Sequence, residues 1–105
     1  MEYTKELTNG MFDEFIKKGV VLIDFFADWC MPCLMMAPIL EEIGEKLAGK
    51  IKIGKIDVQE NQHIASKFGV NSIPNFVLFK DGEVIEQFTG SMPAEELEER
   101  LKKHL

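Results

Sequence analysis

Val20 to Phe26, VVLIDFF, is an almost unbroken run of β-branched and aromatic residues, a pattern that predicts a strand covered on both faces. IKIGKIDV, Ile51 to Val58, is similar but alternates, and predicts a second strand. FVLFKDGEVIEQF reads as a hairpin because Asp81-Gly82 supplies the turn. A weak first strand is expected near Tyr3. Met11, Phe12, Phe15 and Ile16 recur at helical spacing, with Thr8 or Asn9 available as a cap and Gly19 as a stop. Met36, Ile39, Leu40, Ile43 and Leu47 predict a longer helix, bent by Pro38 inside it. Ile64, Ala65 and Phe68 suggest a short helix ended by Gly69. Pro93 opens a last helix whose Leu97, Leu101 and Leu105 fall four apart, with acidic residues early and Lys102 and Lys103 late, as the helix dipole favours.

Strands and helices thus alternate, which predicts an α/β sandwich around a mixed central sheet. No repeat or Pro/Gly/Ser-rich linker interrupts the pattern, so residues 1–105 read as one domain, and 46% hydrophobic residues suffice for one core. A net charge of -6 argues against nucleic acid and anionic membrane surfaces as partners. The N-terminus MEYTKELTNG has no basic lead followed by an apolar run, and no apolar stretch is long enough to span a bilayer. The expectation is a soluble, cytoplasmic protein.

Candidate chemistry concentrates in ADWCMPCLMM, Ala27 to Met36, which holds both cysteines of the chain. A static disulfide is uncommon in a reducing compartment, and a bridge between Cys30 and Cys33 closes too short a loop to restrain the unfolded chain much. Reactivity explains the pair better. The strand ending at Phe26 runs out into ADWC, and the helix begins at about Cys30. There, unpaired backbone N–H groups and the positive end of the dipole stabilise a thiolate. Residues i and i+3 of a helix have Cα atoms roughly 5 Å apart, within the span that a disulfide accepts. Pro32 suits the first turn, where no intrahelical donor is needed.

Three other readings compete at this point. A zinc site would have to draw on His63 and His104 at spacings unlike any finger, and no metal is expected. Covalent haem attachment needs a histidine after the second cysteine, where Leu34 stands. Two inert core thiols are the third alternative.

FFADWCMPC resembles the active-site segment of the thioredoxin family, usually Trp-Cys-Gly-Pro-Cys. MAPILEEI, GKIDV, FGVNSIPNFVLFKDGE and FTG extend the likeness, in order and spacing, over essentially the whole chain. The resemblance implies a three-layer fold, with a mixed sheet of about five strands flanked by four helices. It also implies a protein thiol-disulfide oxidoreductase in which Cys30 attacks a substrate disulfide and Cys33 resolves the mixed disulfide.

Asp24 stands among apolar residues in mid-strand, where burial raises its pKa. In the family such a carboxylate serves the second cysteine as proton acceptor and donor, and Lys55 resembles the lysine near it. Ile73-Pro74 matches the family's cis peptide, which faces the cysteines and offers backbone to a substrate chain. Trp29, Met31, Pro32, Ile73, Pro74 and Gly90 would then surround Cys30 as an apolar substrate-binding patch. The chain departs from the usual pattern at Met31 (commonly Gly), Phe26 (often Trp), Leu34 (commonly Lys) and Asn75 (often Thr).

The implied partners are disulfide-containing proteins and a separate thioredoxin reductase as electron donor, with the protein itself a monomer. No dinucleotide fingerprint is present, so electrons must come from that second protein, and no cofactor is expected. The alternatives are a glutaredoxin-like or dedicated donor, and a non-catalytic binding module. Met35 and Met36 read as core or groove fillers, and His63 and His104 as surface residues on helices without a role.

Overall fold

The computed structural model describes residues 2–8 and 10–105. Its elements follow in the order β1 (Thr4–Glu6), α1 (Phe12–Ile16), β2 (Val20–Phe26), α2 (Met31–Lys46), β3 (Lys52–Asp57), α3 (Gln62–Lys67), β4 (Asn75–Lys80), β5 (Glu83–Thr89) and α4 (Ala94–Lys102). The sheet order is β1-β3-β2-β4-β5. β1, β3 and β2 are parallel, and β4 and β5 are antiparallel to their neighbours.

β2 is central because its residues are apolar on both faces. Leu22, with Ile53, Phe76 and Leu78, packs beneath α2 and α4 through Met36, Leu40, Ile43, Leu97 and Leu101. Val21, Ile23 and Phe25 face the other way, against Phe12 and Ile16 of α1 and Ala65 of α3. Two apolar layers on one sheet give the three-layer sandwich. The β4–β5 turn uses Asp81 (φ 51°) and Gly82 (φ 87°), the paired positive φ angles of a tight hairpin.

Two local expectations change. Of the proposed caps for α1, Asn9 lies outside the described residues. Thr8 does not cap, because the helix starts later: its N-cap is Met11, with no side-chain hydrogen bond. The Thr8 hydroxyl donates instead to Met11 Sδ at 3.1 Å. Leu105 does not join Leu97 and Leu101 in the core, because α4 ends at Lys102 and Leu105 is exposed. Pro38 lies inside α2 without ending it.

Short β1 is fastened to α2 by Glu41, whose carboxylate accepts from the N–H groups of Tyr3 (2.7 Å) and Thr4 (3.0 Å) and from the Thr4 hydroxyl. Gly44, one turn on, permits this approach, since a Cβ there would lie 2.7 Å from Tyr3 Cβ and 3.0 Å from Tyr3 O. Gly44→Val is therefore expected to cost about 1–3 kcal/mol by overpacking. Urea unfolding would read the loss, and faster amide exchange at Lys5 and Leu7 would place it on β1.

Candidate active site

β2 delivers the chain to Ala27 on the buried side of the sheet, and α2 starts four residues later, so Cys30 falls at the junction. It is the N-cap of α2, with extended backbone (φ -89°, ψ 107°). Its Sγ accepts a hydrogen bond from the N–H of Cys33 at 3.2 Å. That N–H is one of the helix's unpaired donors, so a negative charge on Cys30 Sγ meets both a hydrogen bond and the positive end of the dipole. In this structure Cys30 and Cys33 are joined as a disulfide, with their Cα atoms 5.2 Å apart.

Phe26, Ala27, Val58 and Ile73 pack around both sulfurs. Ile73 O is 3.9 Å from Cys30 Sγ, and the peptide between Ile73 and Pro74 is cis. Gly90 donates its N–H to Pro74 O at 2.9 Å, which ties the end of β5 to the same loop. Cys30 is only 4% exposed, whereas Trp29 and Met31 beside it are 68% and 65% exposed. Of the other residues expected around Cys30, Pro32 is exposed, Ile73 and Gly90 are half-buried, and Pro74 is buried. Leu34 and Met35 are exposed as well. With Met31 they form an apolar stripe at i, i+3 and i+4 on the first turn of α2. Met36 is core, and Met35, though exposed, lines a groove with Ile39 and Met92, so the two take the core and groove positions expected of them.

Asp24 is fully buried, and neither carboxylate oxygen has a hydrogen-bond partner among the described residues. Burial raises its pKa from 3.8 to about 7, against the opposing pull of the Lys55 ammonium. Lys55 is the register partner of Asp24 on β3, and its Nζ lies 4.8 Å from the centre of the Phe26 ring. Phe26 packs in turn against the cysteines, so the acid, the cation and the sulfur pair lie on linked positions. His63 lines a separate pocket against α1. His104 follows α4 rather than lying on it, and pairs with Glu86 at 2.9 Å.

Sequence reasoning missed Glu41 and Glu6, which share a cavity with Lys55. Nothing local marks them, since acidic residues on a helix and a short strand ordinarily read as solvated.

The arrangement is that of a pair of sulfurs able to cycle between dithiol and disulfide without large backbone movement. A family model described as Thioredoxin matches residues 3–103. The chain is 51% identical to a thioredoxin of Bacillus subtilis over 98 residues, which covers 93% of this chain and 94% of that relative. It is 48% identical to a thioredoxin of Listeria monocytogenes over 101 residues, 96% of this chain and 98% of the other. A solved structure of a mutant thioredoxin from Halobacterium salinarum NRC-1 superposes with a TM-score of 0.87 at 36% identity, covering 96% of this chain and 89% of that one. The sulfur pair at the head of α2 and a likeness running through nearly every residue lead to one conclusion: the chain belongs to the thioredoxin family and is a protein thiol-disulfide oxidoreductase.

Proposed function

We propose that Cys30 is the attacking thiolate and Cys33 the resolving thiol of a reductase for protein disulfides. The observation that carries this assignment is the Cys33 N–H donated to Cys30 Sγ at the N-terminus of α2. In the dithiol form, Cys30 attacks one sulfur of the substrate disulfide, forms a mixed disulfide and expels the other substrate sulfur as thiolate. Cys33, deprotonated, then attacks Cys30 Sγ, closes the Cys30–Cys33 bond and releases the second substrate thiolate. Two electrons pass to the substrate. Asp24 is the acceptor for the Cys33 proton, its elevated pKa near neutrality suiting it to exchange protons in both directions. Lys55 moderates that affinity by its charge.

The substrate lies extended across Trp29, Met31, Pro32, Ile73, Pro74 and Gly90, with its backbone paired to the peptide preceding cis-Pro74. A separate thioredoxin reductase restores the dithiol, and residues 1–105 act as one domain and one monomer. Five strands in one sheet, with helices packed on both faces, support that unit. A reducing compartment such as the cytoplasm suits the cycle. Among the described residues, no helix is long and apolar enough to cross a membrane.

The test is the reduction of insulin with dithiothreitol as donor. Precipitation well ahead of the uncatalysed control, lost in Cys30→Ser, is expected. A rate equal to the control, or unchanged by that substitution, contradicts the proposal.

A further inference from the structure

Glu6, Lys55 and Asp24 are register partners across three parallel strands, Glu6 with Lys55 and Lys55 with Asp24. In-register partners project to one face, and here it is the face beneath α2: Leu22, two residues before Asp24, packs on that helix, and Thr4, two before Glu6, bonds to Glu41. The row starts at a fully buried acid and ends in an open cavity of about 490 Å³, lined by Glu6, Pro38, Glu41 and Lys55 among others. Lys55 is the one cation among those lining residues, and Glu2 adds a third carboxylate. The groups that share this cavity or a register position with Lys55 are therefore Glu6 and Glu2 near β1, Glu41 on α2 and Asp24 on β2, and its ammonium lies over the Phe26 ring. The register partners of Asp24 are Lys55 on β3 and, on β4, the apolar Phe76.

We propose that Glu41 is a positioning residue for the thiol chemistry: it competes with Asp24 for the Lys55 ammonium and so sets how readily Asp24 gives up its proton. This rests on Asp24 being the acceptor for Cys33. Glu41 is fitted to the role because three donors at the start of β1 and just before it, from Tyr3 and Thr4, fix its carboxylate, the Thr4 hydroxyl foremost. Those bonds also hold its pKa below the usual carboxylate value, so it stays anionic wherever Asp24 titrates. An anion beside the shared cation weakens the field that Lys55 exerts on Asp24. Neutralising Glu41 releases that field and stabilises the Asp24 carboxylate.

The experiment is the titration of the Asp24 carboxyl carbon by NMR in the reduced protein. Glu41→Gln is expected to lower the midpoint by about half a pH unit or more, and Glu6→Gln to move it in the same direction. Glu41→Asp keeps the charge and should stay near the parent value. In a Lys55→Gln background the effect of Glu41→Gln should fall to less than half. An unchanged midpoint in both Gln variants overturns the proposal, and so does an equal drop with and without Lys55. A drop in Glu41→Asp as large as in Glu41→Gln also overturns it, because the loosening of β1 would then be the cause. If Asp24→Asn leaves the pH dependence of insulin reduction unchanged, the reading of Asp24 fails instead, whatever Glu41 does to its midpoint.

Discussion

Asp24→Ala is expected to make the protein more stable by about 3 kcal/mol above neutral pH, and slightly less stable in strong acid. The native state holds the Asp24 proton up to a pKa of about 7, whereas the unfolded chain releases it near 3.8. Between those values the native state binds more protons than the unfolded state, so stability falls as pH rises. At about 1.4 kcal/mol per pH unit, the cost is roughly 4 kcal/mol once pH exceeds the folded value. Ala removes this cost at every pH and leaves a small void worth about 1 kcal/mol. The difference between variant and parent should therefore change sign between pH 4 and pH 8. Urea unfolding at several pH values measures it, and a parent whose stability does not fall across that window would show that Asp24 is hydrated after all. Two buried carboxylate oxygens without a hydrogen-bond partner among the described residues are a destabilising feature retained on the strand that leads to the sulfur pair.

Cys33→Ser is expected to abolish turnover while leaving the first attack intact. Cys30 would still open a substrate disulfide, but without a second sulfur 5.2 Å away between Cα atoms the adduct cannot resolve. Multiple-turnover insulin reduction should fall to the uncatalysed rate, and intact-mass analysis should show one substrate chain per protein, removable by dithiothreitol. Cys30→Ser should show neither turnover nor adduct. Adducts through Cys33 in that second variant would reverse the two roles. The distinction follows from position rather than exposure, since both cysteines are 4% exposed: Cys30 is the N-cap of α2 and its Sγ accepts the Cys33 N–H, while Cys33 lies one turn inside the helix.

Most of this is legible in the residues, because the informative signals are local. VVLIDFF announces a doubly covered strand through its composition, and β2 has apolar side chains in both core layers. Asp24 is conspicuous as the one charge within that run, and it is the more deeply buried of the two buried acids among the described residues, Asp57 being the other. The Cys30–Cys33 spacing and Pro32 place the sulfurs at a helix start, and the hairpin turn is written in Asp81-Gly82. What local signals could not supply is register. That Lys55 stands between Asp24 and Glu6 depends on which strands neighbour β3, and nothing within GKID states it. Glu41 grips residues 37 and 38 positions away, so its role exists only once α2 and β1 meet. The misses at helix ends have a simpler origin. Thr8 suits a cap by residue type alone, although the helix begins at Phe12, and Leu105 continues a spacing of four beyond the last turn that packs.

The mechanism depends on the head of α2 stabilising the thiolate of Cys30 rather than that of Cys33, although the two side chains are equally buried. Its most direct test is alkylation of the reduced protein with iodoacetamide across pH, with the modified residue located by peptide mapping. Labelling should fall on Cys30 first, with a midpoint well below the about 8.5 of an ordinary thiol. Equal labelling of both cysteines, or inertness of both at neutral pH in the folded protein, would contradict the account.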